Sequence, residues 1–186
     1  MFARRFWSAL RPMIDAPAVR LKLLTTRYQV RCYDQRGRLV WSEDVRNLVT
    51  TVGVNYLLST GFKGSAASTA WYVGLIKGAA APTFAIADTM ASHGGWTEIG
   101  ATDVTNANRP QWNGGTVAGG SVDNSASQAV YNMNSSITLQ GLFLGDNNTI
   151  AGTTGNLYGE AAFSSAQVVQ AGYTVNITAT LQITAG

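Results

Sequence analysis

Cysteine is almost missing from this chain. Cys32 is the only one in 186 residues. No intramolecular disulfide can form, so the fold must stand on its core. Histidine is as scarce, with His93 alone. Catalytic triads and most zinc sites need a histidine with matched partners. The sequence also lacks a G-x-S-x-G elbow, a P-loop and an H-E-x-x-H motif. We therefore expect no enzyme, no cofactor and no metal. Charge is thin as well, at 12% of residues against roughly 25% in ordinary soluble proteins. No stretch approaches the ~18 apolar residues of a membrane-spanning helix. The opening MFARRFWSALRP carries Arg4 and Arg5 but no signal-type apolar run. The expectation is a chain that is neither exported by the usual route nor integral to a membrane.

Apolar residues make up 46% of the sequence, which excludes a disordered chain. The length fits one domain. With so few charges, the polar surface must be built from Ser, Thr, Asn and Gln. Neighbouring copies of such a surface repel one another weakly, which suits dense packing in an assembly. The charge that exists is uneven. Ten Lys/Arg and four Asp/Glu lie at or before Arg46, and three and six lie after it. A basic N-terminal part thus precedes a slightly acidic body. It reads either as an arm for an acidic partner or as solvated strand edges.

Residues 1–26 read as that basic, aromatic arm, and 27–186 as the domain. Within the arm Phe2, Phe6, Trp7 and Leu10 fall on one side of a short helix, interrupted at Pro12 and Pro17. So short a helix needs a surface to lie on. From Arg27 the period changes to two: Tyr28, Val30 and Cys32 alternate with polar residues, and Gly37 marks a turn before RLVWSEDV. This predicts a β-hairpin with Cys32 as a small buried side chain. Leu48, Val52, Tyr56 and Leu57 have helical spacing. They predict one helix over 47–61, capped by Asn47 or Thr50 and ended by Gly61 in the left-handed position. Asp88 to His93 reads as one helical turn started by Asp88, with His93 packed on Trp96. After Gly64 the rest is strands and loops. The clearest strand is the last, where Tyr173, Val175, Ile177, Ala179, Leu181 and Ile183 alternate with polar residues. Roughly eight strands separated by Gly/Asn/Ser turns predict a mainly all-β fold: an antiparallel β-sandwich or jelly roll with one short helix and an N-terminal arm.

Candidate chemistry is sparse. Asp88, His93 and Glu98 allow a carboxylate–histidine pair, but a capped, packed turn explains them better. Asp146, Asn147 and Asn148 offer oxygens for Ca²⁺ yet lack the carboxylates of a strong site; a hairpin turn is the better reading. Arg27, Tyr28, Arg31, Tyr33, Arg36, Arg38 and Trp41 interleave base and ring, but Tyr28 and Arg31 fall on opposite strand faces. Nucleic-acid binding is not expected, nor is a membrane partner. Exposed Trp71, Trp96 or Trp112 would suit stacking on sugar rings.

Several segments resemble, in order, a family of small phage virion structural proteins of the decoration or tail-fibre kind. They are D-x-x-G-R-L-x-W (Asp34–Trp41), N-L-V-x-x-x-G-x-N-x-L-L (Asn47–Leu58), W-Y-V-G-L (Trp71–Leu75) and D-T-M-A-S-H-x-G-W-T-E (Asp88–Glu98). Arg109-Pro110, S-V-D-N-S-A-S (Ser121–Ser127), G-x-F-L (Gly141–Leu144) and G-x-L-Y-G (Gly155–Gly159) follow. The likeness runs from about Val30 onward, and the arm falls outside it. It implies a structural role in a virion and leaves head and tail both open, with the head surface as the first expectation. The first expectation is a capsid decoration (cement) protein that forms a homo-oligomer, dimer or trimer. Its partners would be the major capsid protein or other virion proteins, and Arg4, Arg5, Phe6, Trp7 and Arg11 would be the docking residues. The alternatives are a tail or tail-fibre component with a host-adhesion role, and a carbohydrate-binding module.

Overall fold

The computed structural model describes residues 22–184, with side chains from 25 to 183. The chain forms two antiparallel sheets packed face to face with one helix, an all-β sandwich as the sequence predicts. In the first sheet, β1 (Lys22–Tyr33) lies between β2 (Leu39–Arg46) and β11 (Thr174–Thr184). The far edge of β11 takes β7 (Ser121–Asp123) and β8 (Ala129–Asn132). The second sheet runs β3 (Leu48–Val49), β10 (Leu157–Val169), β9 (Ile137–Gly145), β4 (Trp71–Lys77), with β5 (Thr97–Glu98) and β6 (Gln111–Trp112) along the outer edge of β4. Among the described residues there are eleven strands where the sequence predicts roughly eight, and β3, β5, β6 and β7 are pairings of only two or three residues.

The strict alternations found in the sequence are the inner faces of the first sheet. Tyr28, Val30 and Cys32 pair in register with Ala179, Ile177 and Val175, and all six are fully buried. Burial pushes the Cys32 thiol up to about 11, which keeps it protonated and unreactive at neutral pH. Opposite them in the same core stand Val73 and Leu75 of β4 and Leu142 and Leu144 of β9. The Tyr131 hydroxyl donates to the Val73 carbonyl at 2.7 Å and ties the sheets together.

The second sheet is covered on both faces. Behind it, Ile76, Phe143 and Leu157 meet Met90 and Trp96 in a smaller second core. That is why β4 and β9 read as continuous apolar runs instead of alternating. Gly74 pairs with Phe143, and a side chain at Gly74 would strike the Phe143 ring. The bare backbone there makes room for the aromatic ring.

Helix α1 (Thr51–Phe62) starts where Thr50, fully buried, accepts from the Gly53 amide at 3.0 Å and donates to the Leu157 carbonyl at 2.5 Å. One hydroxyl therefore caps the helix and fastens it to β10.

Four expectations need correction. The helix expected over 47–61 starts only at Thr51: Leu48 and Val49 pair with β10 as β3, and Thr50, not Asn47, is the cap. The strand expected from Arg27 already runs from Lys22; its register shifts between Lys22 and Thr25, which hides the alternation. Gly61 lies inside α1, and the left-handed residue after the helix is Gly64, at φ +69°. The segment from Asp88 to His93 is not a helical turn. Thr89 and Ser92 form a one-pair bridge, and Thr89 Oγ1 accepts from the Ser92 amide at 3.0 Å. The Asp88 carboxylate reaches back to the Ala85 amide, also at 3.0 Å, so it organises the chain before it and not the turn after it.

Candidate functional surfaces

Among the described residues, the buried charged side chains bond to other groups of the protein. Arg109 is the largest fully buried side chain. Its Nε and one terminal nitrogen donate to the two Glu98 oxygens, each at 2.7 Å. The same guanidinium donates to the carbonyls of Asn147 at 2.7 Å and Gly152 at 3.1 Å, and it lies 5.0 Å from the Phe143 ring centre. Glu98 also accepts from the Ala151 amide at 2.8 Å, holding Ala151 at φ +57°. This ion pair fixes the loop between β9 and β10 against β5. Its planar, bidentate geometry is the kind that offsets the cost of burying charge.

Glu98 is therefore committed to Arg109 and is not a partner for His93. The His93 ring stacks on Trp96 at 3.7 Å between centres and 13° between planes, the packing role expected from sequence. Trp96 in turn donates its Nε1 to Glu160 at 3.0 Å. Glu160 is fully buried, and burial holds its carboxyl up at about 8. The neighbouring Asp88 charge pushes the same way, while the Trp96 bond opposes both. A proton on Glu160 at neutral pH removes most of the cost of placing that acid beside Asp88.

Asp146 is also spent internally. It accepts from the Ser68 hydroxyl, the Asn156 amide and the Asn156 side chain, each at 2.6 Å. Those bonds close the loop leaving β9 as a hydrogen-bonded turn, the better of the two readings of Asp146–Asn148. In the first hairpin Arg27 pairs with Asp44, Arg38 pairs with Asp34 at 2.8 Å, and Tyr28 is buried. The basic and aromatic residues of that hairpin do not share one surface. Arg4, Arg5, Phe6, Trp7 and Arg11 lie outside the described residues.

Two surfaces stand apart from this internal bonding. The first is the outer side of α1. Val54, Leu58 and Phe62 are 43%, 51% and 86% exposed, at spacings of four residues. They span an arc of about 80° on the helix. The opposite side buries Gly53, packs Leu57 on the core and sets Tyr56 edge-on to Trp71 at 5.0 Å. No charged residue occurs in α1. It is apolar on both sides, a pattern usual for helices covered all round.

The second surface is an open groove of about 430 Å³ at one edge of the sandwich, where β4 meets β6. Trp71 and Trp112 are register partners there, and both line the groove. Trp112 donates its Nε1 inward to the Ala179 carbonyl of the other sheet at 2.9 Å. Gly114 lies so close to the Trp112 ring that a side chain there would meet its edge. Ten residues line the groove and none is charged. The sequence named both tryptophans but gave no sign that they meet, because a long stretch that includes β5 separates β4 from β6. Trp96, named with them, is buried under His93.

Compared with known proteins, the chain matches no protein-family model and no curated sequence.

Proposed function

We propose that this chain is a structural protein of a bacteriophage virion, and more narrowly a capsid decoration protein that binds the head exterior and stabilises the shell. The observation that carries this reading is α1: an exposed stripe of Val54, Leu58 and Phe62 on a helix with no charge. Contiguous exposed apolar surface of this sort marks interaction sites. A charge-poor, amide- and hydroxyl-rich body adds support, since it lets copies pack closely with little repulsion. The ordered segments resembling phage virion proteins point the same way.

The mechanism is mass action. A protein that binds only the mature shell stabilises that shell, and many small contacts around a lattice add through avidity. The helix stripe serves contacts between copies of the chain. Arg4, Arg5, Phe6, Trp7 and Arg11 serve the capsid contact, arginine and tryptophan being the residue types that most often anchor interfaces. The second reading, a tail component with an adhesive role, is favoured by the paired tryptophans at the sandwich edge.

The test is location and copy number in purified virions, by antibody-gold labelling and quantitative gels. Hundreds of copies over the head are expected. A few copies confined to the tail would replace decoration with the second reading, and absence from particles would remove both.

A further inference from the structure

The edge groove has the composition of a carbohydrate subsite. A hexose ring presents a patch of C–H bonds on one face and hydroxyls around its rim. It needs a flat, electron-rich floor and neutral groups that both donate and accept. Trp71 and Trp112, half-buried register partners that both line the groove, are the rings available for that floor. Thr69, Gln111 and Asn113 are exposed on the rim, and Val117, 71% exposed, adds apolar contact. Asn113 is held by one 3.3 Å bond from its amide nitrogen to Ser127 Oγ, which leaves its carbonyl oxygen to a ligand.

The floor is already rigid. Trp112 is fixed by its bond to Ala179 across the sandwich. Trp71 is wedged edge-on between Tyr56 at 5.0 Å and Tyr158 at 5.9 Å. Neither ring needs ordering on binding, which lowers the entropic cost. The groove's volume of about 430 Å³ falls within the range usual for small-molecule sites.

Charge decides the ligand class. Nucleic-acid strands also stack on tryptophan, but they bring phosphates that require a basic groove. Acidic sugars and charged peptides need counter-charges too. No charged residue lines this groove.

We propose that the groove between Trp71 and Trp112 binds a neutral hexose unit of a glycan. This does not depend on where in a particle the protein sits. The test uses the full chain against immobilised and free maltotetraose, cellotetraose and mannotetraose. Sialyllactose and a proline-rich peptide serve as comparisons, and saturation-transfer NMR is the readout. At least one neutral tetrasaccharide is expected to bind through the C–H protons of one ring face. The exposed rim variants Gln111→Ala and Asn113→Ala are expected to weaken it about 10-fold each with an unchanged melting temperature. Trp112→Phe, which keeps a ring but loses the inward bond, is expected to bind more weakly than wild type. The proposal is overturned if none of the three tetrasaccharides binds. It is equally overturned if the rim variants bind as well as wild type, or if only sialyllactose or the peptide binds. Glycan binding by a protein found on the head, or its failure in one found on the tail, separates this proposal from the assignment of place.

Discussion

Arg109 spends four hydrogen bonds inside the protein, two on Glu98 and two on carbonyls of the loop after β9. Removing one member of a buried pair strands the other charge. Arg109→Ala is therefore expected to cost about 3–5 kcal/mol, read as a shift in the urea midpoint. Glu98→Gln keeps the shape but leaves the buried Arg109 cation without its counter-charge and turns one acceptor into a donor, so a loss of similar size is expected. Glu160 makes the stability depend on pH. Its folded value of about 8 stands above the ordinary 4.5 of a glutamate. Between those values the folded state holds a proton that the unfolded state has lost. Stability from this group is thus intact below about 4.5 and falls as pH rises through 8. Glu160→Gln is always neutral and can still accept from Trp96. It should flatten the pH profile between 5 and 8 and be more stable than wild type at pH 8; denaturation midpoints at pH 5, 6.5 and 8 measure this. None of these pairings was legible in the sequence. Glu98 and Arg109 sit on separate short pieces of chain, and Glu160 looks like any strand glutamate until the loop carrying Trp96 folds across it.

Helix α1 contains two glycines that are expected to respond in opposite directions. At Gly53 a methyl group would run into the Tyr158 carbonyl of β10, so Gly53→Ala must lift the helix from the sheet. At Gly61 nothing lies within 4 Å. Gly61→Ala should stabilise by about 0.5–1 kcal/mol through helix propensity, while Gly53→Ala destabilises by at least as much as a lost cap, ~1 kcal/mol. Thermal unfolding of the two variants checks both signs. Periodicity worked well at this scale wherever one face is wet and the other dry. It found β1 with Tyr28, Val30 and Cys32, the run of β11, and the existence of α1 with Thr50 among its possible caps. It carries no signal where the environment is uniform or the pairing is short. β4 and β9 are buried on both faces and do not alternate; their compact apolar runs at 71–76 and 137–145, not a period, mark them as strands. β6 has two residues and is defined only by its partner. Asp88 was misread because an aspartate before a polar run suits a helix cap and a tight turn equally well. Its hydrogen bond to Ala85 settles which one forms.

Across the whole molecule, the fold class followed from composition and strand spacing, while the two candidate surfaces did not. The groove brings together tryptophans from distant stretches, and the helix stripe becomes visible only once the other side of α1 is known to be occupied. If the stripe holds copies together, Leu58→Ser with Phe62→Ser should lower the oligomeric mass seen by analytical ultracentrifugation. The midpoint of monomer unfolding should stay within about 0.5 kcal/mol, because both side chains are exposed. An unchanged mass would remove α1 as the contact. The pairing of β1 with β11 has a consequence for the protein's synthesis. β1 and β2 leave the ribosome early as a hairpin, yet the other edge of β1 is completed only by residues 174–184. At about 5–20 residues per second, the ~140 residues between Tyr33 and Thr174 take roughly 7–30 s to translate. Through that interval an apolar hairpin has an open edge and no partner. The first sheet closes only once β11 has been made, so the nascent chain needs shelter during translation more than the finished protein does afterwards.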